Sequence, residues 1–171
     1  MAATNKHLLS LILTASILHH VYPQQCHPIT VPMCQDLGLY NQTQFPNAFG
    51  HDNQEEAGLE VHQFWPLIEI QCSADLQLFL CSLYTPACTN STERLVPCQE
   101  MCERAREGCG PLMRQYGFGW PLRMTCDGYP KRTSGTACID LDGIVKTSTP
   151  SILENTSIQV ISSSEMSSTG I

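Results

Sequence analysis

Apolar and polar positions recur with helical spacing most clearly along residues 55–70. The positions that repeat there every three or four residues are Leu59, Gln63, Pro66, Leu67 and Ile70. Asp52 stands three residues before Glu55, which is the spacing of a capping box at a helix start. The pattern predicts a helix over 55–70 that Pro66 kinks or ends, because proline lacks the backbone donor of a helix interior.

Two more helices and little strand are predicted farther along the chain. One helix covers 75–83, and another begins at Pro97, a residue suited to a first helical turn, and runs toward Tyr116. Three residues are expected to interrupt this last helix: Gly108, Gly110 and Pro111. Strand signals are short, the clearest being the run at 29–31. The pattern therefore predicts a mainly helical domain with a minor two-stranded β element.

Cysteine usage narrows the class of protein. The chain contains 10 cysteines, all of them between Cys26 and Cys138. An even number confined to one segment indicates a disulfide framework made in an oxidising compartment. At about 100° per residue, Cys98, Cys102 and Cys109 lie within roughly 40° of one stripe of the last predicted helix. One helix face therefore offers three anchor points to the surrounding chain.

The two ends differ in composition from the cysteine-containing segment. An apolar run at 8–18 has the length of a signal-peptide core, so residues 1–22 are predicted to be a signal peptide rather than a buried helix. Cleavage is expected after Ser16 or a few residues later. Residues 143–171 are rich in Ser and Thr, contain no cysteine or aromatic residue, and are predicted to be a disordered tail. The domain itself is predicted to cover 23–142.

Other sequence features agree with a secretory route. The N-terminal run is too short to span a bilayer, and no other apolar stretch reaches the ~18 residues of a transmembrane helix, so no membrane span is expected in this sequence. Sequons for N-glycosylation stand at Asn41, Asn90 and Asn155. We therefore expect a secreted, extracellular glycoprotein.

Charge and motif content exclude several classes of function. The formal net charge is −7 and charged residues make up 15% of the chain, so nucleic-acid binding, which requires clustered Lys and Arg, is not expected. The 6 histidines do not combine with the cysteines at the spacing of a zinc site. The sequence has no Cys-x-x-Cys pair and no hydrolase, metalloprotease or phosphate-binding motif. We therefore expect no metal, no cofactor and no enzymatic activity.

Two clusters of aromatic and apolar residues, at 62–67 and 113–121, allow two interpretations. In the first, both clusters belong to the core. In the second, they form the two walls of an exposed groove, with five residues facing it: Gln63, Leu67, Ile70, Tyr116 and Phe118. Such a groove would suit an acyl chain, since each buried CH₂ group contributes ~0.8 kcal/mol.

Several motifs resemble, in order, those of the Frizzled cysteine-rich domain. The longest is the run 51–72, which resembles the first helix of that domain; the others are at 26–34, 79–88, 98–105 and 111–121. The match covers about 26–142, includes all ten cysteines, and is most similar to the five/eight branch of the vertebrate Frizzleds.

The resemblance implies a small, mainly α-helical domain held by five disulfides. Spacing alone leaves on the order of 945 pairings open. The family pattern, carried onto this sequence, joins Cys26 to Cys88, Cys34 to Cys81, Cys72 to Cys109, Cys98 to Cys138 and Cys102 to Cys126.

The resemblance also implies a partner, a Wnt protein whose attached fatty acyl chain lies in an apolar groove. The groove residues that it implies are Gln63, Phe64, Pro66, Leu67, Ile70, Met113, Tyr116 and Phe118. A second contact, with a protein loop of Wnt, would involve Leu78, Ile139 and Asp140, where Leu78 replaces an aromatic residue and Ile139 a methionine of close family members. The family's domain can also form a homodimer across the groove region.

The end of the sequence leaves two roles open. A Frizzled receptor continues into seven transmembrane helices, and secreted Frizzled-related proteins carry a netrin-like domain, whereas this sequence stops at Ile171 with neither. The chain is expected to be either the ligand-binding part of a cell-surface receptor or a secreted decoy that antagonises Wnt signalling.

Overall fold

Four helices and two small sheets make up the part of the chain that the structure, a computed structural model, describes: residues 25–89 and 94–145. The helices are α1 (Gln54–Val61), α2 (Trp65–Glu69), α3 (Leu76–Tyr84) and α4 (Gln99–Gln115). The strands are β1 (His27–Pro28), β2 (Gln42–Thr43), β3 (Val96–Pro97), β4 (Cys138–Asp140) and β5 (Gly143–Val145). The predicted signal peptide, two of the sequons (Asn90 and Asn155) and the tail after residue 145 lie outside the described residues.

The N-cap of helix α1 lies one residue later than predicted. The Asn53 side chain accepts the backbone N–H of Glu56 at 3.0 Å, and the Glu56 carboxylate accepts the N–H of Asp52 at 3.0 Å. Asn53 rather than Asp52 is therefore the N-cap, and the Glu56 side chain accepts from the residue before the cap instead of from the cap's own N–H, as a regular capping box would require.

The helix predicted over 55–70 is divided before Pro66 rather than at it. Helix α1 ends at Val61, a 3₁₀ turn covers His62–Phe64, and α2 starts at Trp65. Pro66 occupies the first turn of α2, where a missing backbone donor is tolerated. Pro66 therefore helps to start a second helix instead of ending the first.

Helix α3 lies at the centre of the core. The prediction for this helix, 75–83, is displaced by one residue. All of its residues except Gln77 are buried, and it contacts α1, α4 and β3. A helix that is apolar on every side is stable in water only when neighbours cover it.

Helix α4 is continuous, and the predicted interruption of it is wrong. It begins at Gln99 rather than at Pro97, with Cys98 as its N-cap, and runs through all three predicted breakers: Gly108, Gly110 and Pro111. Tertiary packing overrides the weak helix propensity, because Cys102 and Cys109 are buried in the core and disulfide-bonded.

The strand predicted over 29–31 lies outside the strands of the structure. The strands β1 and β2 pair antiparallel just before it, while Ile29 and Val31 are buried in the core. A second sheet, of order β3-β4-β5, was not predicted, because its strands are only two or three residues long. Strand β5 begins at Gly143, one residue after the predicted domain boundary at 142, and pairs with β4.

Five disulfides hold this domain, and no described cysteine is free. Their pairs, which are those that the resemblance implied, are Cys26–Cys88, Cys34–Cys81, Cys72–Cys109, Cys98–Cys138 and Cys102–Cys126. The predicted class, a mainly helical and disulfide-rich domain with a two-stranded element, is confirmed. The three-stranded sheet is an addition to it.

Candidate functional site

An open groove of about 640 Å³ lies between α2 and the C-terminal end of α4. The structure brings to it all eight residues predicted for a groove: Gln63, Phe64, Pro66, Leu67, Ile70, Met113, Tyr116 and Phe118. Four further residues line it that were not among the predicted groove residues, although Gly119 and Pro121 belong to the predicted cluster at 113–121: Leu112, Gly119, Pro121 and Arg123.

The first wall comes from α2 and the 3₁₀ turn before it. Gln63, Leu67 and Ile70 are four and three residues apart, and near-helical geometry places them along one face. Ile70 is 58% exposed, although it is a large apolar residue. Phe64 differs because it is 7% exposed and packs toward Tyr84, with 6.4 Å between ring centroids. Phe64 therefore belongs to the core as much as to the groove.

The second wall depends on the chain reversal at the end of α4. Gly117 has φ of +82°, a left-handed conformation that favours glycine. The reversal lets the N–H of Phe118 donate to the Met113 carbonyl at 2.9 Å, as at other helix ends closed by glycine. Tyr116 and Phe118 stand on either side of Gly117, and each is 66% exposed. Two aromatic rings are thus held in solvent beside the groove.

The lining chemistry suits an apolar ligand. Ten of the twelve lining residues are apolar or glycine or carry a large aromatic ring, and the other two are Gln63 and Arg123. None of the twelve is a serine, cysteine, histidine or carboxylate. Within residues 25–89 and 94–145, no cluster of three or more His, Cys, Asp or Glu side chains is arranged to hold a metal ion.

Arg123 is the charged residue of the lining. Its Nη2 donates to the Tyr84 hydroxyl at 3.0 Å and forms an ion pair with Glu60 Oε1. Its guanidinium also lies over the Phe49 ring, 4.6 Å from the centroid. These partners are distant in sequence, so no local motif marks Arg123 as part of the site.

The three residues predicted for a second contact are buried in this structure, and their contact with a loop of Wnt stays a prediction. Leu78 is 5% exposed, and Ile139 and Asp140 are each 1% exposed. Leu78 lies on the buried helix α3, and the other two lie on the central strand β4. Side chains so deeply covered can shape a surface only indirectly.

Asp140 has a structural role. Its carboxylate accepts from Arg104 Nη2 at 2.5 Å and from Arg132 Nη1 at 2.8 Å, and it also accepts the N–H of Leu141 at 2.7 Å. Arg104 additionally donates to Asp75, and this hydrogen bond is the main reason that the pKa of Arg104 lies above its usual value. Asp140 therefore ties β4 to α4 through a charge-assisted network.

Two remaining expectations concern glycosylation and the membrane. Asn41 is exposed, while Thr43 of the same sequon is buried in β2. Among the described helices, none combines the length and the apolar character that crossing a bilayer requires.

Comparison with known proteins gives consistent matches. The family model for the Fz domain matches residues 26–133. Human Frizzled-5 is 57% identical over 128 residues, which are 73% of this chain and 22% of that protein. Mouse Frizzled-8 is 60% identical over 117 residues, which are 67% of this chain and 17% of that protein. The chain thus spans about a fifth of the length of these relatives. A crystal structure of the Smoothened CRD aligns with a TM-score of 0.49 and 28% identity, covering 64% of this chain and 96% of that one.

Proposed function

The chain belongs to the Fz domain family, and on that premise we propose that it is the extracellular ligand-binding module of a Frizzled-type receptor. Its partner is a Wnt protein, and the attached fatty acyl chain of Wnt occupies the groove between α2 and α4. The module acts by binding and not by catalysis.

The observation that supports this proposal is the exposure of apolar side chains on both walls of the groove. Ile70, Tyr116 and Phe118 are each more than half exposed. Keeping a contiguous apolar surface in water is costly unless a partner covers it. An acyl chain in the groove gains ~0.8 kcal/mol for each buried CH₂ group, so about ten such groups would supply ~8 kcal/mol before ordering costs.

The proposal includes processing and assembly. Residues 1–22 direct the chain into the secretory pathway and are removed, Asn41, Asn90 and Asn155 carry glycans, and 143–145 contributes strand β5. The module is then displayed outside the cell. A homodimer would bury the same exposed walls, so a second copy and the acyl chain would compete for the groove.

Replacing Tyr116 with aspartate is expected to weaken binding of acylated Wnt by about 10–100-fold, because the side chain loses 1.5–3 kcal/mol of apolar burial and brings a charge into the groove. Phe64→Asp is a poorer test, since Phe64 is 7% exposed and its replacement would disturb the core. The measurement is surface plasmon resonance with acylated and non-acylated Wnt on the secreted domain.

The matched control is Leu59→Asp. Leu59 is apolar and 77% exposed like the groove residues, but it is not among the residues that line the groove. Binding of acylated Wnt should be unchanged in this variant. Equal affinity of the unmodified domain for acylated and non-acylated Wnt would contradict the proposed function.

A further inference from the structure

The groove contains one charged residue among its twelve described lining residues, Arg123. A free cation in an apolar groove would select a ligand with an ionised carboxylate, because the few polar groups of such a site determine which ligand fits. The groove would then favour a free fatty acid over an acyl chain in ester linkage. Whether it does so depends on where the guanidinium charge is engaged.

The charge of Arg123 is paired with residues that do not line the groove. The groups that hold its guanidinium are the Glu60 carboxylate, the Tyr84 hydroxyl and the Phe49 ring. None of these three residues is among the lining residues. Arg123 thus lines the groove while its charge is neutralised by a residue outside the lining. The arginine side chain is 43% exposed, so it could turn toward the groove if its partners were removed.

Glu60 is itself held firmly in place. Its Oε1 accepts the Tyr84 hydroxyl at 2.7 Å, and its Oε2 is 2.9 Å from His51 Nε2. Asn47 secures both neighbours, because its side chain accepts the N–H of His51 at 3.0 Å and donates to the Tyr84 carbonyl at 3.0 Å. Burial raises the pKa of Tyr84 well above its usual value, so this hydroxyl remains a donor to Glu60 across the physiological range.

We propose that Glu60 determines ligand specificity by pairing with the Arg123 guanidinium, so that the groove favours a neutral, esterified acyl chain over an ionised fatty acid. An ionised carboxylate that enters the groove loses hydration and finds no free cation in return. An ester loses no charge solvation. This inference rests on the proposed acyl-binding function and adds the form in which the acyl group is accepted.

The test compares laurate with methyl laurate at neutral pH, using isothermal titration calorimetry on the full chain and on Glu60→Gln. Glutamine keeps a neutral hydrogen-bonding group beside Tyr84 and His51 but no longer pairs with the guanidinium. The affinity ratio of laurate to methyl laurate should rise about tenfold in this variant, the effect of one charge-assisted hydrogen bond to the carboxylate. Adding Arg123→Gln to the same variant should return the ratio to its original value.

Two further variants separate specific from general effects. Glu69→Gln removes one negative charge from the exposed side of α2 and should leave the ratio unchanged. Tyr84→Phe removes the hydroxyl that contacts both Glu60 and Arg123 and should raise the ratio in the same direction as Glu60→Gln, which provides a second route if the glutamine variant folds poorly.

The outcomes distinguish the inference from the function on which it rests. An unmodified chain that binds both ligands, with the same ratio in Glu60→Gln and Tyr84→Phe, would overturn the inference while leaving acyl binding intact. A rise of equal size in Glu69→Gln would overturn it as well, since the cause would be net charge. An unmodified chain that binds neither ligand would overturn the proposed function itself.

Discussion

Replacing Arg104 with leucine is expected to lower the free energy of unfolding by about 3 kcal/mol. Arg104 donates to two carboxylates, Asp75 at 2.6 Å and Asp140 at 2.5 Å, whose side chains are 8% and 1% exposed. Removing one partner of a buried ion pair typically costs about 3–5 kcal/mol, because the remaining charge stays buried without compensation. The lower end of this range of costs applies because Arg132 still contacts Asp140 in the variant.

The measurement for Arg104→Leu is denaturant unfolding with the disulfides intact. Arg114→Leu is the matched control, since Arg114 is an exposed residue of the same helix, α4, and its loss should cost less than about 1 kcal/mol through the helix dipole alone. Similar losses in the two variants would show that the Asp75–Arg104–Asp140 network does not stabilise the domain.

The substitution Gly108→Ala is the second with a large expected effect, again about 3 kcal/mol. A Cβ atom at this position would lie 2.4 Å from the Cys72 carbonyl oxygen and 3.0 Å from the Ser73 Cβ. Overpacking of this kind costs about 1–3 kcal/mol, and the upper end applies because the obstructing atom belongs to the backbone. The neighbouring Cys72–Cys109 disulfide prevents the two segments from moving apart.

Gly110→Ala provides the comparison within the same helix. There the nearest atom to a new Cβ is Arg114 Nη1 at 3.4 Å, the end of a flexible side chain. This variant should be as stable as the unmodified protein or more stable by up to about 1 kcal/mol, since alanine favours a helix over glycine. Thermal unfolding of both variants decides the matter, and equal stability would mean that the chain relaxes readily around Gly108.

Helix α4 and its glycines illustrate which features could be predicted from the sequence and which could not. Helical spacing identified the regions of α1 to α4, because amphipathic periodicity is a local property of the chain. From the sequence, Gly108 was predicted to interrupt the helix. The reason that glycine is needed at this position is the close approach of Cys72, a residue far away along the sequence. The same holds for Arg123, whose hydrogen-bond partner Tyr84 is 39 residues distant.

The residues of the predicted site show the same difference between local geometry and contacts that are distant in sequence. The groove residues come from two short stretches. Within each stretch, the local helical or turn geometry places the groove residues together, and the resemblance implied their roles. From that resemblance, Leu78 and Ile139 were expected to contact a loop of Wnt, but the burial of a side chain depends on which elements cover it. In this chain α3 and β4 are both interior, so the apolar side chains at these positions are part of the core.

The Cys72–Cys109 disulfide has a mechanical consequence for the groove. Cys72 follows Ile70 of one wall by two residues, and Cys109 precedes Leu112 of the other wall by three, so a covalent link joins the walls at this end. The distance between the walls there is set before any ligand arrives. We expect little hinge motion on binding at that end, and adaptation to acyl chains of different shape would fall to the Tyr116–Phe118 side, where no such link is present among the described residues.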